Sequence, residues 1–145
     1  MGKSKDNPMD NKRKHLELIS NIITRMGSNS FAIKTWSTGL TTGILVLSLK
    51  EKLITFGLYA AIPITLFWFL DTFYLRQERL YRKLYDEVRV KKEKQIDFSM
   101  KTGHLFDEVS YCGVLFSITI FPFYLVLALT IGFFAILSLI PAMNF

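Results

Sequence analysis

Two ionisable side chains, Lys34 and Asp71, border the long apolar stretches of this chain, and their position makes them the first candidates for chemistry. A charge set against an extended apolar run needs a partner, water or a function. Two readings are open. The pair could form a gating or ion-path element, or it could be a structural salt bridge between adjacent helices, with Lys34 snorkelling to an interface. The other reactive residue types are sparse. His15 and His104 are the only histidines; the first is expected on an exposed helix face and the second at an interface. Cys112 is the only cysteine, which excludes an intrachain disulfide and a cysteine-based metal set, and it is expected to pack as a small apolar residue. There is no HExxH, no P-loop and no Gly-rich nucleotide fingerprint. A nucleophile with its base, or a metal triad, is not found in the apolar stretches. The sequence therefore names no catalytic residue, no metal ligand and no cofactor, and an enzyme is not expected.

The elements that must position these residues are written in the charge pattern. The chain has 145 residues, half of them hydrophobic, including 13 Phe, and a formal net charge of +6. One domain is the expectation for that length. The charges crowd into Lys3–Lys34 and Asp71–Glu108, with Lys50, Glu51 and Lys52 between, and none follows Glu108. Such blocks predict an all-α integral membrane protein with three transmembrane helices, an N-terminal amphipathic helix and a long cytoplasmic stalk helix. The expected organisation has a disordered basic N-terminus over 1–11 and an amphipathic helix over 12–27, with Leu16, Ile19, Ile23 and Met26 on one face. A break is expected at Gly27–Ser30, with a continuous helix as the alternative. A two-span hairpin follows over 31–75, its second span kinked by Pro63, then the basic stalk and connection over 76–110, then a C-terminal span within 111–145. The polar N-terminus is not followed by an apolar h-region, so no cleavable signal is expected. Seven Lys and Arg, counting Lys34, lie at or before the start of the first span and nine lie in Arg76–Lys101, against two in the Lys50–Lys52 turn and none after Ile140. That bias predicts a bacterial inner-membrane protein, N-terminus cytoplasmic and C-terminus outside.

Three further sets of residues could make contacts. Gly39-x-x-x-Gly43 offers a small-residue face for helix packing, while Ser37, Thr38, Thr41 and Thr42 could instead line an aqueous path built from several copies. In the stalk, Glu78–Arg82, Arg82–Asp86, Lys83–Glu87 and Glu87–Lys91 are spaced for ion pairs along a solvated helix. Tyr81, Leu84, Tyr85 and Val88 form a stripe that could contact a partner or another copy. The basic balance suits a lipid bilayer surface, a nucleotide signal or a cytoplasmic protein partner, and nucleic acid is not expected.

The segments Arg25-Met26 with Asn29-Ser30-Phe31, Lys34 with Trp36, Phe67-Trp68 with Asp71, Tyr74-Leu75-Arg76-Gln77-Glu78-Arg79-Leu80 with Lys83-Leu84-Tyr85-Asp86, and Ile96-Asp97-Phe98-Ser99-Met100 resemble a group of small bacterial multi-pass membrane proteins. The resemblance covers roughly residues 15–125 and implies a fold but no mechanism. The order of amphipathic helix, two close spans and basic helix is similar to that of SLATT-type membrane effectors of antiviral systems, from which the third span departs. Together these features imply a homo-oligomeric inner-membrane pore-forming or membrane-disrupting effector, in phage defence. The alternative is a non-conducting membrane adaptor that docks a soluble cytoplasmic partner through its basic helices.

Overall fold

A computed structural model describes residues 8–51 and 59–139. Residues 1–7 of the expected disordered N-terminus, the start of the expected second span and the tail after residue 139 lie outside the described residues, while residues 8–11 of that N-terminus are helical rather than disordered. The described residues are mostly helical, with no strand among them: α1 (Pro8–Glu51), α2 (Ala61–Val90), two 3-10 turns (Glu93–Gln95 and Gly103–Glu108), α3 (Tyr111–Leu115) and α4 (Phe121–Leu139).

Helices α1 and α2 form an antiparallel hairpin. Lys12 near the start of α1 donates to the carbonyl oxygens of Arg89 and Lys91 at the end of α2, while Ser30 of α1 reaches Asp71 of α2. The shared core contains Ile19 of α1 and Leu75, Leu80, Leu84 and Val88 of α2, repeating at near-helical spacing. Each such side chain contributes about 1.5–3 kcal/mol by leaving water.

The helix α1 runs unbroken for 44 residues, straight through the Gly27–Ser30 segment where a break was expected. The reason is tertiary. Gly27 faces Glu78, whose carboxylate oxygen would lie 3.4 Å from an added Cβ, and Ser30 is buried against α2. Packing thus overrides the ~1 kcal/mol that a glycine costs within a helix. Pro63 is the third residue of α2, in the first turn, where its missing N–H costs no internal bond; it does not kink the middle of a helix. Pro122 sits likewise at the second position of α4.

After α2 the chain turns back along it. The Lys91 N–H donates to the Glu87 carbonyl at 3.3 Å and the backbone becomes extended. Asp97 accepts from the Ser99 N–H at 3.1 Å, and Phe98 takes up the left-handed region at φ 55°. The C-terminal arm then docks on α2 through Leu105, Val109, Val114, Ile120, Tyr124 and Ile131, all buried. Ser110 caps α3 by accepting from the Gly113 N–H at 3.0 Å.

The expectation of three membrane spans is overturned. Among the described residues, no helix is long and apolar enough to cross a membrane. Helix α1 is long, but Ser37, Thr38, Thr41, Thr42 and Ser48 interrupt its uncharged half. The uncharged start of α2 runs only from Ala61 to Leu70, about 15 Å, before Asp71. Helix α4 carries no charge but has 19 residues, about 28 Å against a hydrocarbon core of ~30 Å. The inner-membrane placement, its orientation, and the membrane, channel and pore readings fall with the spans. The antiviral role attached to them has no support left.

Candidate functional site: a carboxylate sealed between two helices

The most constrained polar group of the described chain is Asp71. It lies on the face of α2 that meets α1, with no solvent-exposed surface. Ser30 and Lys34 stand one turn apart on α1 and both turn toward it. The Ser30 hydroxyl donates to Oδ1 of Asp71. The Lys34 ammonium lies 2.5 Å from Oδ2 and donates to the Ser30 oxygen at 3.0 Å. The three side chains form a closed circuit of one anion, one cation and one hydroxyl, and the low-polarity surroundings strengthen each link.

A fourth residue comes from far along the chain. Tyr124 of α4 is buried beside Asp71, and its hydroxyl donates to the Phe67 carbonyl at 3.2 Å. Burial, and then the nearby Asp71 charge, push its phenol well above the ordinary range, so it keeps its proton. Trp68 is the hinge of this docking. Its Nε1 donates to the Leu115 carbonyl at 3.2 Å, and its ring meets those of Phe116, Phe121 and Tyr124. Tyr111 donates to the Phe69 carbonyl at 2.9 Å.

Chemically, the cluster is a latch. A Ser–Lys hydrolase needs an exposed serine and a lysine free to accept its proton. Here Ser30 is buried and its hydroxyl is committed to Asp71, while Lys34 serves as that carboxylate's counter-ion.

The other singled-out residues separate into different environments. The Ser/Thr/Gly face of α1 is two faces. Ser37 and Thr41 are buried on the Ser30–Lys34 side, and their hydroxyl oxygens find no hydrogen-bond partner among the described residues. Gly39 and Gly43 are exposed, with open space within 4 Å of where a Cβ would stand. In the stripe, Leu84 and Val88 are buried against α1, and Tyr81 and Tyr85 are half-buried beside them. Of the four spaced ion pairs, Glu78–Arg82 forms at 2.7 Å, whereas Lys83 reaches Glu108 at 2.7 Å and Glu87 meets His104 at 3.0 Å. The C-terminal arm has captured the partners that a solvated stalk would have kept.

His15 was expected exposed and is buried, its ring edge-on to Phe98 at 5.5 Å. Burial lowers its pKa, with Asp97 opposing in part. Cys112 is exposed rather than packed. No group of acidic, histidine and cysteine residues among the described residues could hold a metal ion. Ser30 could have been found from its i, i+4 relation to Lys34. Tyr124 carries no such local mark, because only the folding back of the C-terminal arm brings it to Asp71.

No family model matches the chain, and no curated protein or solved structure matches it either.

Proposed function

We propose that the chain is a non-catalytic, self-associating adaptor: its latched hairpin is a rigid support, and its apolar end pairs with a second copy. One observation carries this reading. Trp36, Leu40, Gly43 and Leu47 follow one another at spacings of four, three and four residues on α1, and all are exposed. That is the seam spacing of a helix that packs lengthwise on another helix. Gly39 and Gly43 leave room for close approach, since nothing stands within 4 Å of their open side.

The surrounding surface has the same character. Ile62, Leu66, Phe69 and Phe73 make an exposed stripe on α2, and Leu125, Val126, Leu129, Phe133 and Ile136 make another on α4. Apolar surface of this extent is a contact surface rather than a resting one. It carries no charge to select a charged partner, and an identical apolar end fits it by symmetry.

The test is native mass spectrometry and sedimentation of the full chain in aqueous buffer and in mild detergent. A dimer or larger closed assembly is expected in both, with Gly39→Leu/Gly43→Leu shifting it toward monomer. A wild-type chain that stays monomeric, with detergent alone covering the apolar end, overturns the reading.

A further inference from the structure

We propose a second site at the opposite, charged side of the molecule: the groove between α2 and the C-terminal arm binds a phosphate group. Helix α2 carries Arg76, Arg79 and Lys83 at i, i+3 and i+7, one face, with Arg82 beside them. The segment from Phe106 to Val114 crosses that face and turns it into a groove of about 490 Å³, lined by Arg79, Arg82, Lys83, Glu108, Ser110 and Gly113 among others.

The four cations are not equally satisfied. Arg82 is held by Glu78 and Lys83 by Glu108, each at 2.7 Å. Arg76 has no carboxylate; it donates to the carbonyls of Val109 at 2.9 Å and Phe106 at 3.3 Å, and lies 4.9 Å over the Phe106 ring. Arg79 is half-buried, and no hydrogen bond or ion pair reaches it from the described residues. The groove is therefore lined by three cations against one carboxylate, Glu108, with Arg76 beside it and Glu78 pairing Arg82 from outside the lining. The unmatched charge centres on a guanidinium that has given up part of its hydration for no counter-ion.

A doubly charged tetrahedral oxyanion fits this arrangement. It offers paired oxygens to the planar fork of Arg79 and a second edge to Arg82. Lys83 sits beside it as a point charge. A carboxylate ligand would supply a single negative charge, too little to balance the groove. The site is independent of the self-association reading, because it lies on the charged stretch of α2 and uses none of the apolar-end residues. The phosphate can come from a free ion or from a lipid headgroup, and the experiment distinguishes the two.

The full chain is titrated with inorganic phosphate at constant ionic strength, followed by 31P NMR line broadening. In a second arm, co-sedimentation is measured with phosphatidylcholine vesicles with and without phosphatidic acid. Saturable binding of the free ion assigns a soluble phosphate. Binding only to phosphatidic acid vesicles assigns a headgroup. In whichever arm binds, Arg79→Gln lowers affinity by about tenfold or more, the weight of a lost charge-assisted contact. Glu108→Gln raises affinity, because it removes a carboxylate from the groove. Arg89→Gln, on the same helix but outside the groove, leaves it unchanged. Failure of both arms overturns the proposal, as does binding that Arg79→Gln and Arg89→Gln weaken equally. Arg79 makes no hydrogen bond or ion pair with the described residues, so its substitution leaves helicity, read by circular dichroism, intact.

Discussion

Lys34 closes over Asp71: the ammonium of α1 stands 2.5 Å from a carboxylate of α2 that has no exposed surface, while the lysine itself keeps a small exposed fraction. The pair is asymmetric, a sealed anion under a partly hydrated cation. Removing Lys34 therefore does more harm than removing the pair. Lys34→Ala should destabilise the fold by about 3–5 kcal/mol, since it strands a buried charge, whereas Lys34→Met with Asp71→Leu should come close to neutral. Urea unfolding of Lys34→Met, Asp71→Leu and the double variant gives the coupling directly. A loss in the double variant equal to the sum of the two single losses would mean that the pair is not coupled.

The buried imidazole of His15 makes stability depend on pH. Its pKa in the folded chain lies below the ordinary 6.5, chiefly because burial disfavours the charged ring. The unfolded chain thus binds the proton more readily, so stability is full above pH 6.5 and declines as pH falls below it toward the folded-state pKa. Urea midpoints between pH 7.5 and 5 should fall for the wild type. His15→Phe should flatten that part of the profile.

Two glycines should respond oppositely to alanine. At Gly113 a Cβ would stand 2.8 Å from the Ser110 oxygen that caps α3, so Gly113→Ala should cost about 1 kcal/mol by displacing the cap. At Gly27 the nearest atom, a Glu78 carboxylate oxygen, is 3.4 Å away, an ordinary contact. Gly27→Ala should stabilise α1 by about 0.5–1 kcal/mol through helix propensity. Thermal unfolding of the two variants checks both signs.

Trp68 joins the arm to the hairpin through one hydrogen bond and a group of aromatic rings. Trp68→Ala should cost about 3 kcal/mol or more and loosen the arm before the hairpin. Limited proteolysis would then cut first between residues 96 and 120. Cleavage within α1 at the same rate would contradict this.

The sequence made the helical class legible, along with the inward face of early α1 and the candidate pair Lys34–Asp71, because helical spacing and isolated charges are local properties. It did not disclose the partners of the charges. Lys83 is spaced for Glu87 yet bonds to Glu108, and Glu87 is left to His104, because the arm folds back over α2 and offers better geometry. Tyr124 reaches Asp71 for the same reason. Gly27–Ser30 reads as a break in one dimension and is a site of close packing in three. Apolar content alone also overstated the spans, since Ser37 and Thr41 turn inward while Trp36 and Leu40 turn out.

That last arrangement gives α1 a reversed polarity along its length. In its first half the apolar Ile19 is inside and the charges are outside; in its second half a row of Ser30, Lys34, Ser37 and Thr41 is inside and Trp36, Leu40 and Leu47 are outside. The two rows stand only one residue, about 100°, apart around the helix. A twist of that size would suit neither half, because it would drag Ile19 into solvent as it brought Trp36 inward. Helix α1 is thus locked in rotation by its own two ends. It acts as a fixed ruler, about 66 Å long, that holds the charged end and the apolar end of the molecule in one relative setting.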